Sequence, residues 1–508
     1  MKSRIWVCTS AIAIFTLLVI PVWVAAQQQQ VNKPRYKLID LGTFGGSASY
    51  VNPDGNGGPY MNREGEVVGS SMTSIRPRSD GNYPCPAAAG VFHAMAWLDD
   101  SVTDLGSLRD RHNCGNALAI NNAGEMVGAS ENGLRDPATD AVQLRAVLWK
   151  DGRIENLGTF GGNHSYASAI NNQGQIVGFA LNKVPDPFSL FDFGIGGSTK
   201  GTQTRAFLWE NQHKQDLDTL GGPDAWAIFV NEPGHVAGFS YTNSTPNPTT
   251  GIPTADPFFW SKEGGMIDLG TLGGTFGFPV GLNDRGQVIG LSNLAGDQTA
   301  DPFLWDGQRL IDMFTAGSGG SFLFANAIDN AGEVVGAAAF SNHPFDAATW
   351  KEGVVSDLGA LPGDCFSQAF VMNARGQIVG NSATCDGKTI RAALWEDGKV
   401  FDLNALILRN SSLLLVESNA INDRGEIAGN GFPHGCTDFS CTHAFVLIPC
   451  DRVHSDKEGC EDRDQSIAVQ PGRASESSNA VPPENVPKLF RQRLSWHYRF
   501  HGLGMPRN

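Results

Sequence analysis

The sequence predicts an all-β fold, an eight-bladed β-propeller of four-stranded antiparallel blades. Three observations predict it. One segment recurs eight times, as NREGEVVG (62–69), NNAGEMVG (121–128), NNQGQIVG (171–178), NEPGHVAG (231–238), NDRGQVIG (283–290), DNAGEVVG (329–336), NARGQIVG (373–380) and NDRGEIAG (422–429). A second segment carries a tryptophan at Trp97, Trp149, Trp209, Trp260, Trp305, Trp350 and Trp395, and its eighth copy, HAFVLIP (443–449), carries none. Glycine interrupts every apolar run before two helical turns can form. Units of this length cannot bury their own apolar faces, so they stack.

Each unit holds four short runs. SAIN (168–171) leads through Asn172-Gln173-Gly174 into QIVG (175–178), a hairpin whose glycine supplies the positive φ of the turn. AVLW (146–149) leads through Lys150-Asp151-Gly152 into IENL (154–157), and Asp-Gly between β-type runs is a strong hairpin signal. These runs are strands a, b, c and d of a meander. The repeats begin with a d strand, KLIDL (37–41), and end with a c strand, AFVLI (444–448). Pairing the two closes the ring and covers its open edges. The weakest copies, IDMFTAGSGG (311–320) and DLNALI (402–407), leave seven blades plus a docked hairpin as the alternative count. A parallel β-helix fits poorly, because these strands are joined by hairpins.

A meander places the short a–b and c–d turns on one side. The d–a loops of GTLGG type and the b–c connections share the other. The b–c connections vary most, as the inserts 70–93, 129–145, 179–204, 239–256, 291–301, 337–346, 381–391 and 430–443. Variable loops on one side of a repeat scaffold are where such folds bind.

Residues 1–26 read as a signal peptide. Lys2 and Arg4 precede an apolar run, and Val24-Ala25-Ala26 supplies small residues for cleavage. A single membrane anchor is the competing reading of this run. Residues 27–36 are a linker, 37–449 the propeller, and 450–508 a polar, mostly disordered tail. Lys488–Arg499 within it has the pattern of a short amphipathic helix. A net charge of −15 argues against nucleic acid and anionic membrane surfaces as partners. Eight cysteines lie beyond Cys8, an even number suited to disulfides in an exported chain. Repeat register suggests Cys85–Cys114 and Cys365–Cys385 as one bridge made twice. Cys436–Cys441 closes a small loop and Cys450–Cys460 pins the start of the tail. Free buried thiols are the alternative. No paired CxxC spacing suggests zinc.

The repeats resemble the secreted bacterial HAF (His-Ala-Phe) repeat family. His443-Ala444-Phe445 carries the signature, Arg205-Ala206-Phe207 and His93-Ala94-Met95 are variants, and DLGTFGG (40–46) and DLGTLGG (268–274) accompany it. The resemblance covers roughly 37–448. It implies export and a repetitive β fold, and supplies no reaction, ligand or catalytic set.

The repeated d-strand acids (Asp40, Asp104, Asp216, Asp268, Asp312, Asp357, Asp402, with Asn156 in one copy) look like a carboxylate ring. A residue present in every blade serves the blade, so these are expected to accept hydrogen bonds from loop N–H groups. The asparagines of the xINxxG runs are expected to start turns. Asp-Pro at Asp256 and Asp301 reads as turn initiation. The tryptophans are expected to pack between blades. Non-repeated residues on the loop side are the candidates for binding: Asp110, His112, His164, Trp226, His343, Asp364 and His434. No catalytic set, cofactor or metal is expected, since no nucleophile elbow, paired-histidine spacing or phosphate loop before a helix is present. The sequence therefore points to a secreted, non-catalytic propeller that binds a protein or glycan. The alternative is a secreted hydrolase or lyase acting on polysaccharide, which needs carboxylates converging at one mouth.

Overall fold

The computed structural model describes residues 36–51, 58–76, 90–191, 201–314, 318–341, 343–407 and 411–450. The expected signal peptide, most of the linker and all but the first residue of the tail lie outside them. Eight four-stranded antiparallel meanders follow one another. In the third, strand a is Ser165–Ile170, b Ile176–Pro185, c Thr202–Glu210 and d His213–Asp216. Register repeats closely. Each tryptophan of strand c faces the first residue of strand b, as in Ile176↔Trp209 and Ile378↔Trp395, and Leu447 stands in that place opposite Ile427. Both weak copies still provide a d strand, Leu310–Asp312 and Lys399–Asp402. The fourth and fifth meanders touch through one parallel bridge, Ala255↔Phe276.

The N-terminal strand Tyr36–Asp40 completes the last meander. It pairs antiparallel with His443–Pro449, in the register Lys37↔Ile448 to Asp40↔Phe445. Leu413–Ile421 and Ile427–Pro433 supply strands a and b of that sheet.

The core lies between neighbouring sheets. Val127 and Leu148 of the second pack with Ile176 and Phe207 of the third. Val446 and Ile448 of the last pack with Val67 and Met95 of the first. Burying a side chain of this size contributes about 1.5–3 kcal/mol, so each such seam holds one meander to the next.

Strand a carries a bulge in the middle, shown by register shifts such as Ala117/Ala119 and Ala167/Ala169. The bulge drives a carbonyl toward strand b, and the glycine of the IVG run stands opposite. A Cβ on Gly178 would overlap the Tyr166 carbonyl oxygen, and the same holds at Gly128 and Gly380. This steric demand fixes the repeated glycine.

The repeated asparagine does more than start a turn. Asn171 Oδ1 accepts from the N–H groups of Gln173 and Gln175, at 3.1 and 3.0 Å. Its Nδ2 donates to Gln175 Oε1 at 2.7 Å and to the Asn231 carbonyl of the next sheet at 2.9 Å. The inter-sheet bond repeats from Asn62 to Asn121, Asn121 to Asn171, Asn231 to Asn283, Asn283 to Asp329 and Asn373 to Asn422. Asn422 then donates to the Asn62 carbonyl at 3.3 Å. Asp329 interrupts the series, because its side chain lacks the amide N–H groups that the asparagines donate. Asp329→Asn is expected to supply the missing link to the Asn373 carbonyl and to stabilise by about 1 kcal/mol. A thermal midpoint that stays level or falls rejects this account.

Two sequence expectations need correction. The inserts 129–145 and 239–256 are largely strand, and the insert 179–204 is strand at both ends. Strands b run on through Met126–Arg135, Ile176–Pro185 and Val236–Pro246, and strands c start at Val142, Thr202 and Pro253. Asp256 and Asp301 also lie within strands, opposite Ser240 and Ser292. The proline ring after each takes a position where the missing N–H is tolerated.

Candidate functional site

The side carrying the b–c and d–a connections is built from three layers. The lowest is the d-strand acid. In every copy its side chain accepts from the N–H two residues on, from Asp40 to Gly42, through Asn156 to Gly158, to Asp402 and Asn404. The expected loop-pinning role of these residues is therefore observed. The GTLGG loop is held as well. Thr159 Oγ1 donates to the Gly162 carbonyl at 2.9 Å, and Leu272 N donates to Ser292 Oγ at 2.8 Å.

The second layer pairs the d-strand acid with the strand c residue that precedes the Ala-Phe position. His93 Nδ1 lies 2.8 Å from Asp104, Arg205 Nε 2.9 Å from Asp216, Arg391 Nη1 3.2 Å from Asp402 and His443 Nδ1 2.9 Å from Asp40. His93 Nε2 also donates to the Arg111 carbonyl at 2.9 Å. Burial works against its charge, but the bonds to Asp104 and Arg111 outweigh it and raise its pKa. In the fourth, fifth and sixth sheets the same position is Asp256, Asp301 and Asp346, two residues before Phe258, Phe303 and Ala348, which pair with Asp268, Asp312 and Asp357. Burial, then the d-strand carboxylate, pushes Asp256 and Asp346 up to about 7 and raises Asp301.

The third layer is formed by the extended b–c connections of the second, third and fourth sheets, that of the third sheet being described except at 192–200. They share one construction. Asn132, Asn182 and Asn243 each accept from the N–H two residues on, at 2.9, 2.8 and 2.9 Å. Asp136, Asp186 and Asn247 do the same further along. Leu134 and Val184 stand 43% and 49% exposed on the first two. Beneath these connections, buried acids fasten neighbouring sheets. Asp224 accepts from the N–H groups of Leu190 at 2.6 Å and Thr204 at 2.8 Å. Burial and the nearby Asp186 raise its pKa well above the ordinary value.

The candidate residues are spread over this framework. His164 is buried under the first of these connections. Its Nε2 lies 3.0 Å from Asp136, its Nδ1 accepts from the Leu144 N–H at 3.2 Å, and its ring stacks on Phe191 at 4.3 Å. The N–H directed at Nδ1 requires the neutral tautomer, in line with burial lowering its pKa. Trp226 is 5% exposed, packs on Phe179 at 4.5 Å and donates to Ser168 Oγ at 3.2 Å, so it is core and not a platform. Asp364 is buried beside the Cys365–Cys385 bridge, 2.7 Å from Arg391 and from Ser382 Oγ. Asp110 and His112 share a turn in which Asp110 accepts from the His112 N–H at 3.0 Å. His343 sits 3.7 Å from Asp346, and His434 is exposed near the Cys436–Cys441 bridge. These positions belong to several different sheets.

Cys365–Cys385 and Cys436–Cys441 are formed. Cys114 and Cys450 are disulfide-bonded, and their expected partners Cys85 and Cys460 lie outside the described residues. Such bridges belong to an oxidising compartment. Among the described residues no helix is long and apolar enough to cross a membrane, and no three His, Cys, Asp or Glu side chains gather to hold a metal.

Comparison with known proteins adds little. No family model matches the chain, and no curated protein matches it. Among solved structures it is similar to a puromycin hydrolase, at 13% identity and a TM-score of 0.36 over 70% of this chain and 61% of that one. It is similar to Porphyromonas gingivalis dipeptidyl peptidase 4, at 11% identity and a TM-score of 0.37 over 72% and 56%. An Aleuria aurantia lectin matches at 12% identity and a TM-score of 0.25 over 56% and 91%. The chain spans less than two thirds of the two hydrolases. At these scores none of the three bears on function.

Proposed function

We propose that the eight meanders close into an eight-bladed propeller, and that this propeller is an exported, non-catalytic binding protein of the HAF-repeat type. The asparagine series and the seam between Val446 and Val67 support closure. Two disulfides support export. The observation that carries the binding role is the set of extended b–c connections on three successive sheets, whose described residues share asparagine-started turns and expose Leu134 and Val184. Turns held in this way lose little entropy when a protein or glycan docks against them. The titratable residues around them are already engaged in holding sheets together, as with His164 and Asp136.

A glycan array and a panel of candidate protein partners, probed with the secreted chain, test this reading. Binding without released sugar is expected. The double variant Leu134→Ser/Val184→Ser is expected to weaken it about tenfold. Released oligosaccharide product, or binding indifferent to both substitutions, overturns the proposal.

A further inference from the structure

The repeat is broken where the second and third sheets meet, on the loop side. Opposite the strand c tryptophan most sheets place an aliphatic residue, as at Val102, Ile154, Leu310, Val355 and Val400. Opposite Trp209 stands Lys214. Its ammonium reaches the d–a loop of the second sheet, donates to the Gly158 carbonyl at 2.6 Å and lies over the Phe160 and Phe207 rings at 5.5 and 5.0 Å. Arg145 meets the same loop from strand c of the second sheet, donating through Nη1 to the Asn163 carbonyl. Arg205 takes the matching pose one sheet on, with Nη1 on the Pro223 carbonyl, and its Nε and Nη2 are neutralised by Asp216 and Asp218 at 2.9 and 3.1 Å. In the second sheet the same two places hold Asn156 and Gly158. Among the described residues neither Arg145 nor Lys214 forms an ion pair, and their bonds go to neutral oxygens. Asp136, the acid that acts on Arg145, is committed to His164 and Asn163. A Cβ at Gly158, the place from which Asp218 extends its carboxylate in the third sheet, would stand 3.9 Å from Lys214 Nζ. The two cations therefore border one partly exposed space, and in the next sheet a carboxylate fills it.

We propose that the space between Arg145, Gly158 and Lys214 binds the carboxylate of a uronic-acid sugar, so that a glycan supplies the acid that the chain itself supplies to Arg205. This rests on the reading of the loop side as a binding surface and narrows its ligand to an acidic glycan. Arg145 offers the ligand the fork that Arg205 turns to Asp216 and Asp218, and of the three donors on Lys214 the Gly158 carbonyl takes one. Gln143, Asn156, Thr159 and Asn163 belong to the same loop or to the Arg145 contacts, and their amides and hydroxyl suit the hydroxyls of a sugar. A net charge of −15 repels a densely charged polymer and favours a sugar chain with spaced carboxylates. Burial and then the Arg145 charge lower the Lys214 ammonium to about 8, a strain that a bound carboxylate relieves.

Calorimetry of the full chain at pH 7 tests this, with short uronate oligosaccharides of alginate, pectin and hyaluronan and with their carboxyl-reduced forms. At least one uronate is expected to bind, and carboxyl reduction to weaken it about tenfold or more. Asn156→Asp installs the acid of the other sheets beside Arg145, so it is expected to raise the thermal midpoint and to weaken uronate binding about tenfold. Lys214→Leu restores the aliphatic residue of the other sheets, and is expected to melt no lower than the parent while binding about threefold more weakly or worse. Equal affinity for the carboxyl-reduced sugar overturns the proposal. So does uronate binding that both substitutions leave unchanged, or tighter binding of a glutamate-rich peptide through the same two residues. No binding by any uronate overturns it as well. If a neutral glycan or a protein then binds, the broader binding role stands, and if nothing on the array or panel binds, both readings fall.

Discussion

Gly178→Ala is expected to cost about 3 kcal/mol or more, among the largest effects of any single methyl group in this chain. The added Cβ meets the Tyr166 carbonyl oxygen and the Ala167 Cα, both backbone atoms of the neighbouring strand. No rotamer change relieves a clash between backbones. Strand a would have to lose its bulge, and with it the register that places Tyr166 opposite Phe179 and Ile170 opposite Ile176. Gly264→Ala provides the comparison. Gly264 is exposed, and its added Cβ would lie 3.1 Å from Ser261 Oγ, a side-chain atom that can turn aside at the loss of one exposed hydrogen bond, the one it accepts from the Gly264 N–H at 3.0 Å. That variant is expected to melt within a degree or so of the parent. Equal midpoints for the two variants would show that the bulge is not what fixes the glycine.

The second large effect is a loss of stability as the protein is taken from pH 5.5 to pH 8. Asp256 and Asp346 have folded pKa values near 7, raised by burial and then by Asp268 and Asp357, against an ordinary value of 3.8. Burial likewise lifts Glu131 to about 7. A carboxyl raised on folding binds more protons in the folded state. Its stabilising contribution is complete below its unfolded value and disappears as pH rises through the folded one. His93, raised by Asp104 and Arg111 against the opposing effect of its burial, adds the same sign from about pH 6.5 upward. For the well-buried Asp346 the change is on the order of 2–4 kcal/mol. For the less deeply buried Asp256 solvent screening reduces it. Asp136 works the other way. The bond from His164 holds its carboxyl below the usual range, so its contribution is lost as pH falls below about 4. His164, whose pKa burial lowers, also loses stabilisation as pH falls below about 6.5, so the maximum is expected between about pH 5 and pH 6. Melting curves from pH 4 to pH 9 check this, and a midpoint that is flat or climbing between 5.5 and 8 refutes it. Asp346→Asn is expected to flatten the descent and raise the midpoint at pH 8.

Much of the fold was legible in the chain because the repeats state their own periodicity. Hairpin signals such as Asp151-Gly152 sit where the turns are, and the pairing of KLIDL with AFVLI is observed. The loop-pinning role of the d-strand acids followed from their recurrence. What escaped were relations between repeats. The Asn171 amide reaches a carbonyl sixty residues away, and no local spacing encodes that bond. The residue before Ala-Phe was read as a family signature or a turn former. Its meaning lies in its cross-strand neighbour, since the same place holds His93, Arg205 or Asp256. Aligning those copies against their own d strands would have exposed the acid pairs. Trp226 breaks the repeat, which marks it as a binding candidate in the sequence, yet it fills space between Phe179 and Phe239.

The partnership of Tyr36–Asp40 with His443–Pro449 couples the first described strand of the polypeptide to the last. A ribosome or export channel that has delivered residues 36 to 442 has delivered no match for that leading ribbon, whose amides stay bare and adhesive. Completion must therefore await release of the whole chain, and contacts of such separation form slowly. A product cut short by a single repeat does not become a smaller version of the same object. It keeps two sticky margins, and nascent chains in that condition are the ones that a chaperone has to shield.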